Sequence, residues 1–330
     1  MDATAVLSTA REFAQDVLRP AAMEVELRRQ IPPAHLDGLA ALGLYGLAGP
    51  VEYGGLEADF ATACEVIEIL ASGCLSTAFV WLQHQGPVRA VTASGDVRLR
   101  EQWLRPLCEG TRRAGVALAG AMPGPPGLRA RPVPGGYVFD GFSPWVTGWG
   151  LIDTLYTAAR DDSDNVVWAL LDAKPGAALS VEPVEMVAVM ASQTVRVNLH
   201  KYYVPAECVT NAIPLSEWQL IDASGQRANG SLALGIAARC CAMIGPSSLD
   251  DELASAREAL DAGTPQTMPA ARGAAAELAL RAAAALVVAQ GSRAILADSE
   301  PQRLAREAVF LLVFASRPAI KESLLGLLTG

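Results

Sequence analysis

Residues able to do chemistry are sparse in this chain. The densest stretch is GGYVFDGFSPWVTGWG, Gly135–Gly150, which holds two of the six tryptophans, five glycines and a Trp145-Val146-Thr147 triplet. On spacing alone the triplet reads as a tryptophan buried in a β sandwich, with a threonine ending the strand. Gly148 and Gly150 permit close backbone approach. The three histidines, His35, His84 and His200, are scattered, and neither HExxH nor CxxC occurs, so a metal centre is not expected. Six cysteines at irregular spacing, two of them adjacent, read as reduced, buried thiols.

The elements around these residues fall into three textures. Up to about residue 112 the apolar period is helical, as in ADFATACEVIEILASGC, and STAFVWLQHQGPVRAV follows what reads as a Ser/Thr cap. From 113 to 214 short runs rich in Val, Tyr and Thr, bounded by Gly, Pro or Asp, read as strands. From 215 to 330 long Ala- and Leu-rich segments return to the helical period. The expected fold is α+β, a β barrel or sandwich domain between an N-terminal helical domain and a C-terminal helix bundle. The seam between them suits a flat ligand.

Composition narrows the function. At 330 residues, 51% of them hydrophobic, the chain can build two or three packed units. A net charge of −9 argues against nucleic acid. The N-terminus lacks the pattern of a secretory signal, and RAAAALVVAQ is shorter than the roughly 20 residues of a membrane span. A soluble cytoplasmic protein is expected.

Order and motifs together resemble the acyl-CoA dehydrogenase family over nearly the whole chain. GLYGLAGPVEYGGLEADFATACEVIEILA is similar to the family's G-x-x-G-x-x-x-P-x-x-Y-G-G and the helix after it. REQWLRPLCEG, GYVFDGFSPWVTGWGLIDTLYTAAR and SQTVRVNLHKYYVPAECV resemble three further family segments in the right order. The resemblance implies FAD at the seam, an acyl thioester or specialised acyl substrate, and a homodimer, a tetramer or a hetero-oligomer with a paralogue. It makes Trp145 a wall for the flavin ring and Thr147 a hydrogen-bond partner near its N5 edge. Gly291, in VVAQGSRA, stands at a glycine of the family's phosphate loop, with Ser292 at the next and Arg293 beside it. Trp81 and His84 lie on a helix that lines the family's acyl pocket.

The departures are as specific. Where the family reads T-E-P-x-A-G-S-D this chain has AMPGPPGL, with Ala121 at Thr, Gly127 at Ser and Leu128 at Asp. The R-x-Q-F-G segment has no counterpart. Family members remove the α-proton with a glutamate at one of two places, the second at the start of a helix and before an arginine, and those places align with Ala315 and with Gly230-Ser231. Glu307, Asp140 and His84 are then the candidates for a relocated base. Glu307 also suits a structural pair with Arg303 or Arg306, and His84 a structural core position. Two alternatives to a flavin dehydrogenase stay open: a non-catalytic subunit beside an active paralogue, and a scaffold with other or no flavin chemistry.

Overall fold

The computed structural model describes residues 2–330. The chain begins with α1 (Ala3–Phe13), which passes through a π turn at Ala14–Leu18 into α2 (Arg19–Arg28). Then come α3 (Pro33–Ala41), α4 (Phe60–Gly73), α5 (Leu75–Thr92) and α6 (Val97–Cys108). Aspartates cap three of these: Asp2, Asp59 and Asp96 each accept a first-turn backbone N–H of α1, α4 and α6. The Ser/Thr cap expected before α5 is not there. Its N-cap is Cys74, without a side-chain bond, and Ser76 and Thr77 are buried within the first turn. One residue separates α4 from α5, so the start of α5 is packed inside and has no room for a solvent-facing cap.

A single eight-stranded sheet follows: β1 (Ala114–Ala117), β2 (Leu128–Val133), β3 (Gly136–Val146), β4 (Thr154–Arg160), β5 (Asn165–Asp172), β6 (Leu179–Pro183), β7 (Val195–Pro205) and β8 (Val209–Pro214). The order is β6-β7-β3-β2-β4-β5-β8, with β1 beside β4. Pairing is antiparallel except β1 with β4 and a single β2–β4 step. β4 and β5 are buried on both faces. Leu155, Ala159, Val167, Ala169 and Leu171 join the core enclosed by the sheet, while Tyr156, Trp168 and Leu170 meet α5 and α6. That is why NVVWALLD is continuously apolar rather than alternating.

The remaining helices are α7 (Leu215–Ile244), α8 (Ser248–Asp261), α9 (Met268–Gln290), α10 (Glu300–Val313) and α11 (Pro318–Thr329). The two helical ends of the chain are not separate units. One apolar core runs from Val6 through α4 and α5 into α7, α9 and α10. At the α4–α7 crossing a Cβ on Gly235 would lie 2.5 Å from the Glu68 carbonyl oxygen, so glycine sets the approach. α9 packs against α7, α8, α10 and α11, and Ala275, Ala276, Ala279, Ala282 and Ala283 are fully buried along it.

The apolar helix α9 is longer than RAAAALVVAQ, the run whose length was too short for a membrane span. α9 with its following turn, Met268–Ile295, is long and apolar enough to cross a membrane. It packs against four helices with its alanines buried, and 44% of its apolar window is buried.

Candidate functional site

The seam forms where β3 ends. Thr147 follows its last residue and is buried; its Oγ1 lies 3.3 Å from Thr194 Oγ1, which lies 2.8 Å from Ser192 Oγ. The backbone locks this chain of hydroxyls. Gly148 N–H donates to the Ser192 carbonyl at 2.8 Å, and Trp149 N–H to that of Gln193 at 3.1 Å. Val189 and Gln193 hold left-handed φ values of 47° and 49°, which is costly for a β-branched residue and marks a strained, over-determined loop. A Cβ on Gly148 would touch Val80 of α5 at 3.2 Å, so this strand end lies directly on the helix.

Trp145 projects from β3 and is 64% exposed, so the reading from spacing alone, a buried tryptophan, is corrected. Inward and outward residues alternate here: Val146 is buried and its neighbour is not. An open indole face thus stands beside a buried hydroxyl chain. When Ser192 donates to Thr194 and Thr194 to Thr147, the Thr147 proton is left to be offered outward.

The other side of the seam is α5 and the end of α10. Phe79, Phe310 and Phe314 form an aromatic cluster with centroid separations of 5.0–5.6 Å. Ala315 follows directly, half-buried, at a left-handed φ of 51°. Gly230 is not beside it. A Cβ on Gly230 would meet Leu260 of α8 at 2.8 Å, so that position faces away from the seam. Gln226, which immediately precedes Arg227 on α7, does line a cavity of about 190 Å³ together with Ala121, Trp218, Asp222, Met268 and Ile320. Asp222 is tied to Arg317 by two bonds of 2.7 and 2.8 Å. Sequence reading missed Gln226, Asp222 and Arg317. The Gln-Arg pair was the available signal, hidden because Gly225 and Gly230 obscured the 30-residue helix that carries it.

The three candidates for a relocated base are placed for other work. His84 is buried; its Nδ1 accepts from Ala114 N–H at 2.9 Å and its Nε2 lies 3.0 Å from the Leu107 carbonyl. Both nitrogens are spent joining α6 to β1, with Nε2 the donor. Burial pushes its pKa down to about 3, against the Leu107 bond, which favours the cation, and with help from Arg113. Trp81 is also buried, donating to the Leu44 carbonyl at 3.2 Å. Neither lines the cavity beside Gln226. Asp140 is exposed and accepts from Lys201 N–H at 2.9 Å. Glu307 is buried and accepts two bonds of 2.8 Å from Arg303. Arg306 pairs elsewhere, with Glu26 at 2.9 Å.

His84 gives a pH prediction. Its folded pKa lies below the unfolded value of about 6.5, so only the unfolded chain takes up the proton between about pH 6.5 and pH 3. Its contribution is complete above that window and falls by up to roughly 1.4 kcal/mol per pH unit on acidification. In urea titrations at pH 4.5 and 6.5, His84→Gln is expected to lose less stability across the interval than the wild type. Equal losses would show that His84 does not control it.

The diphosphate side differs from the ring side. Carbonyls of Gly120, Met122 and Gly124 all turn onto the buried Arg160 guanidinium. The amides of Gly120, Ala121 and Gly127 are used within the fold, and Pro123, Pro125 and Pro126 have none. Gly291 caps the C-terminus of α9 at φ 68°, its N–H donating back to Val287 and Val288. A helix C-terminus carries partial negative charge, so this turn does not attract a phosphate, and Ser292 and Arg293 on it are exposed. An open indole face and a buried hydroxyl thus stand at the end of β3, while the AMPGPPGL turn spends three carbonyls on Arg160 and the Gly291 turn is a helix C-terminus.

Comparisons with known proteins agree with this architecture. The family model "Acyl-CoA dehydrogenase, N-terminal domain" matches residues 2–111. The probable acyl-CoA dehydrogenase fadE25 of Mycobacterium leprae is 27% identical over 209 residues, 61% of this chain and 54% of that protein. The probable acyl-CoA dehydrogenase YngJ of Bacillus subtilis is 26% identical over 77% of this chain and 68% of its own. The chain spans about half the length of several curated relatives it matches. Butyryl-CoA dehydrogenase from Megasphaera elsdenii superposes with a TM-score of 0.85 at 19% identity, covering 100% of both chains. The N-terminal domain that residues 2–111 match, the related sequences and the shared helix–sheet–helix fold together support membership of the acyl-CoA dehydrogenase family.

Proposed function

We propose that this chain is an acyl-CoA dehydrogenase-like flavoprotein subunit, built to hold an FAD ring against β3 and an acyl thioester or specialised acyl substrate in the seam. The observation that carries the reading is the exposed Trp145 face beside the Thr147–Thr194–Ser192 hydroxyl chain, on a strained loop. The chemistry a flavin supplies at such a site is acceptance of a hydride from the CH–CH bond of the acyl group. Trp145 walls the ring, Thr147 offers a proton at its edge, and α5 with Phe79 and Phe314 excludes water from the seam.

A second reading is favoured by the base positions. Neither Ala315 nor Gly230, nor Gln226 in the cavity, carries a carboxylate, which supports a non-catalytic subunit paired with an active paralogue. Association with a copy or a paralogue also suits the apolar residues left open on α9, α10 and the turn between them: Val288, Ile295, Leu296, Val309 and Val313 are 50–80% exposed. Six free thiols, five of them buried, suit a reducing cytoplasm.

The test is flavin uptake. Purified protein incubated with FAD and desalted is expected to retain yellow, fluorescence-quenched flavin. Trp145→Ala is expected to weaken retention by about tenfold, the scale of one lost stacking contact. Thr147→Ala is expected to shift the flavin potential. No retention by the wild type, or equal retention by a Trp145→Ala/Thr147→Ala double variant, would remove the ring site.

A further inference from the structure

Four arginines are buried: Arg160, Arg227, Arg272 and Arg303. Arg227 meets Asp261 at 2.6 Å, Arg303 meets Glu307 at 2.8 Å, and Arg160 meets Asp164 at 3.3 Å besides three carbonyls. Arg272, on α9, is 1% exposed and has no carboxylate partner among the described residues. Its Nη2 donates to the carbonyls of Leu311, at 3.4 Å, and Phe314, at 3.3 Å, at the end of α10. Its Nε and Nη1 are buried without a partner. The end of α10 is a favourable place for a cation, but it occupies only one of three nitrogens. A buried charge normally comes paired, because removing it from water costs several kcal/mol.

What adjoins this cation is the cavity already described. Met268, four residues earlier, lies on the same face of α9 and forms part of the cavity wall with Ile320 of α11. A methionine side chain swings at low cost, so the cavity can deepen by one helical turn toward Arg272. The mouth presents no uncompensated charge, since Asp222 and Arg317 neutralise each other there.

We propose that Arg272 anchors the carboxylate of a small ligand that enters through the cavity between α7, α9 and α11. The guanidinium offers Nε and Nη1 as free donors on separate edges, and one carboxylate oxygen at Nη1 would make a charge-assisted bond. The occupant is a short acid with an apolar body, since Ala121, Trp218, Met268 and Ile320 line the way in. This site does not depend on the flavin reading, because the cation and the cavity are parts of this chain alone.

The test uses the full chain without added flavin. The probes are acetate, succinate and glutarate at constant ionic strength, with butane-1,4-diol as the uncharged control, read by thermal midpoint and titration calorimetry. At least one acid is expected to stabilise the wild type saturably, and the diol to do nothing. Arg272→Met is expected to weaken that binding at least tenfold while folding as well as the wild type or better, because it removes an unpaired buried charge. Should that variant fail to fold, Ile320→Trp, which plugs the path, is expected to abolish the response. The proposal is overturned by a wild type that answers no acid. It is equally overturned by an Arg272→Met or a plugged variant that binds as the wild type does, or by a response lost in Arg317→Gln and kept in Arg272→Met.

Discussion

Glu307→Ala is expected to destabilise the protein by about 3–5 kcal/mol, the cost of leaving a buried partner charge unpaired. Glu307 and Arg303 lie one turn apart on α10, each 2% exposed or less, with both carboxylate oxygens 2.8 Å from one guanidinium nitrogen. Burial works against the Arg303 cation, but Glu307 and Glu300 outweigh it and its pKa rises. Glu300 reaches Arg303 at only 3.3 Å and is shared with Arg239, so it replaces little of what Glu307 supplies. Removing both partners is a different experiment. Arg303→Met with Glu307→Leu keeps the volume and removes both charges, and is expected to cost far less than Glu307→Ala alone. Urea unfolding of the three proteins decides it. A loss below about 1 kcal/mol for Glu307→Ala would mean that the pair is hydrated in solution.

Dehydrogenation of a straight-chain acyl-CoA is expected to run at least about 10²-fold below ordinary enzyme rates of ~1–10³ per second, because no free carboxylate stands at either base position. Alanine and glycine cannot take the α-proton at Ala315 and Gly230, nor can the glutamine that lines the cavity, Gln226. His84 is neutral with both nitrogens engaged, and Glu307 is held by Arg303. Asp222, the carboxylate in the cavity, is held by Arg317. The measurement mixes protein, FAD and saturated acyl-CoA esters with an artificial electron acceptor. Turnover at ordinary rates would show that one of these groups, or another, is free to act as base. Two gain-of-function variants locate the position. Ala315 is half-buried in a turn and already tolerates a left-handed φ, so Ala315→Glu is expected to fold. Gln226→Glu places the acid on α7 instead. Whichever raises turnover marks the base position, and no gain from either in a flavin-loaded protein favours the non-catalytic subunit.

Much of the architecture was legible because it depends on local chemistry. Period-two runs rich in Val and Tyr make strands, and Ala- and Leu-rich runs of helical period make helices, whatever lies next to them. The resemblance of GYVFDGFSPWVTG and its neighbours carried the family in the same way, and the missing carboxylates at Ala315 and Gly230 were legible from the same alignment. The sequence by itself could not separate an exposed Trp145 from a buried one, since strand register decides the face. Nor could it show that His84 is consumed by Leu107 and Ala114, because those partners are 23 and 30 residues away and meet it only where α6 turns into β1. Gly230 was misplaced for a similar reason: position along α7 was readable, but which side of that helix faces the seam was fixed by packing against α8 and α4. Arg272 shows the limit most plainly. An arginine among alanines reads as a solvent-exposed charge on a helix, and only the closure of α10 and α11 over α9 makes it a buried cation with donors to spare.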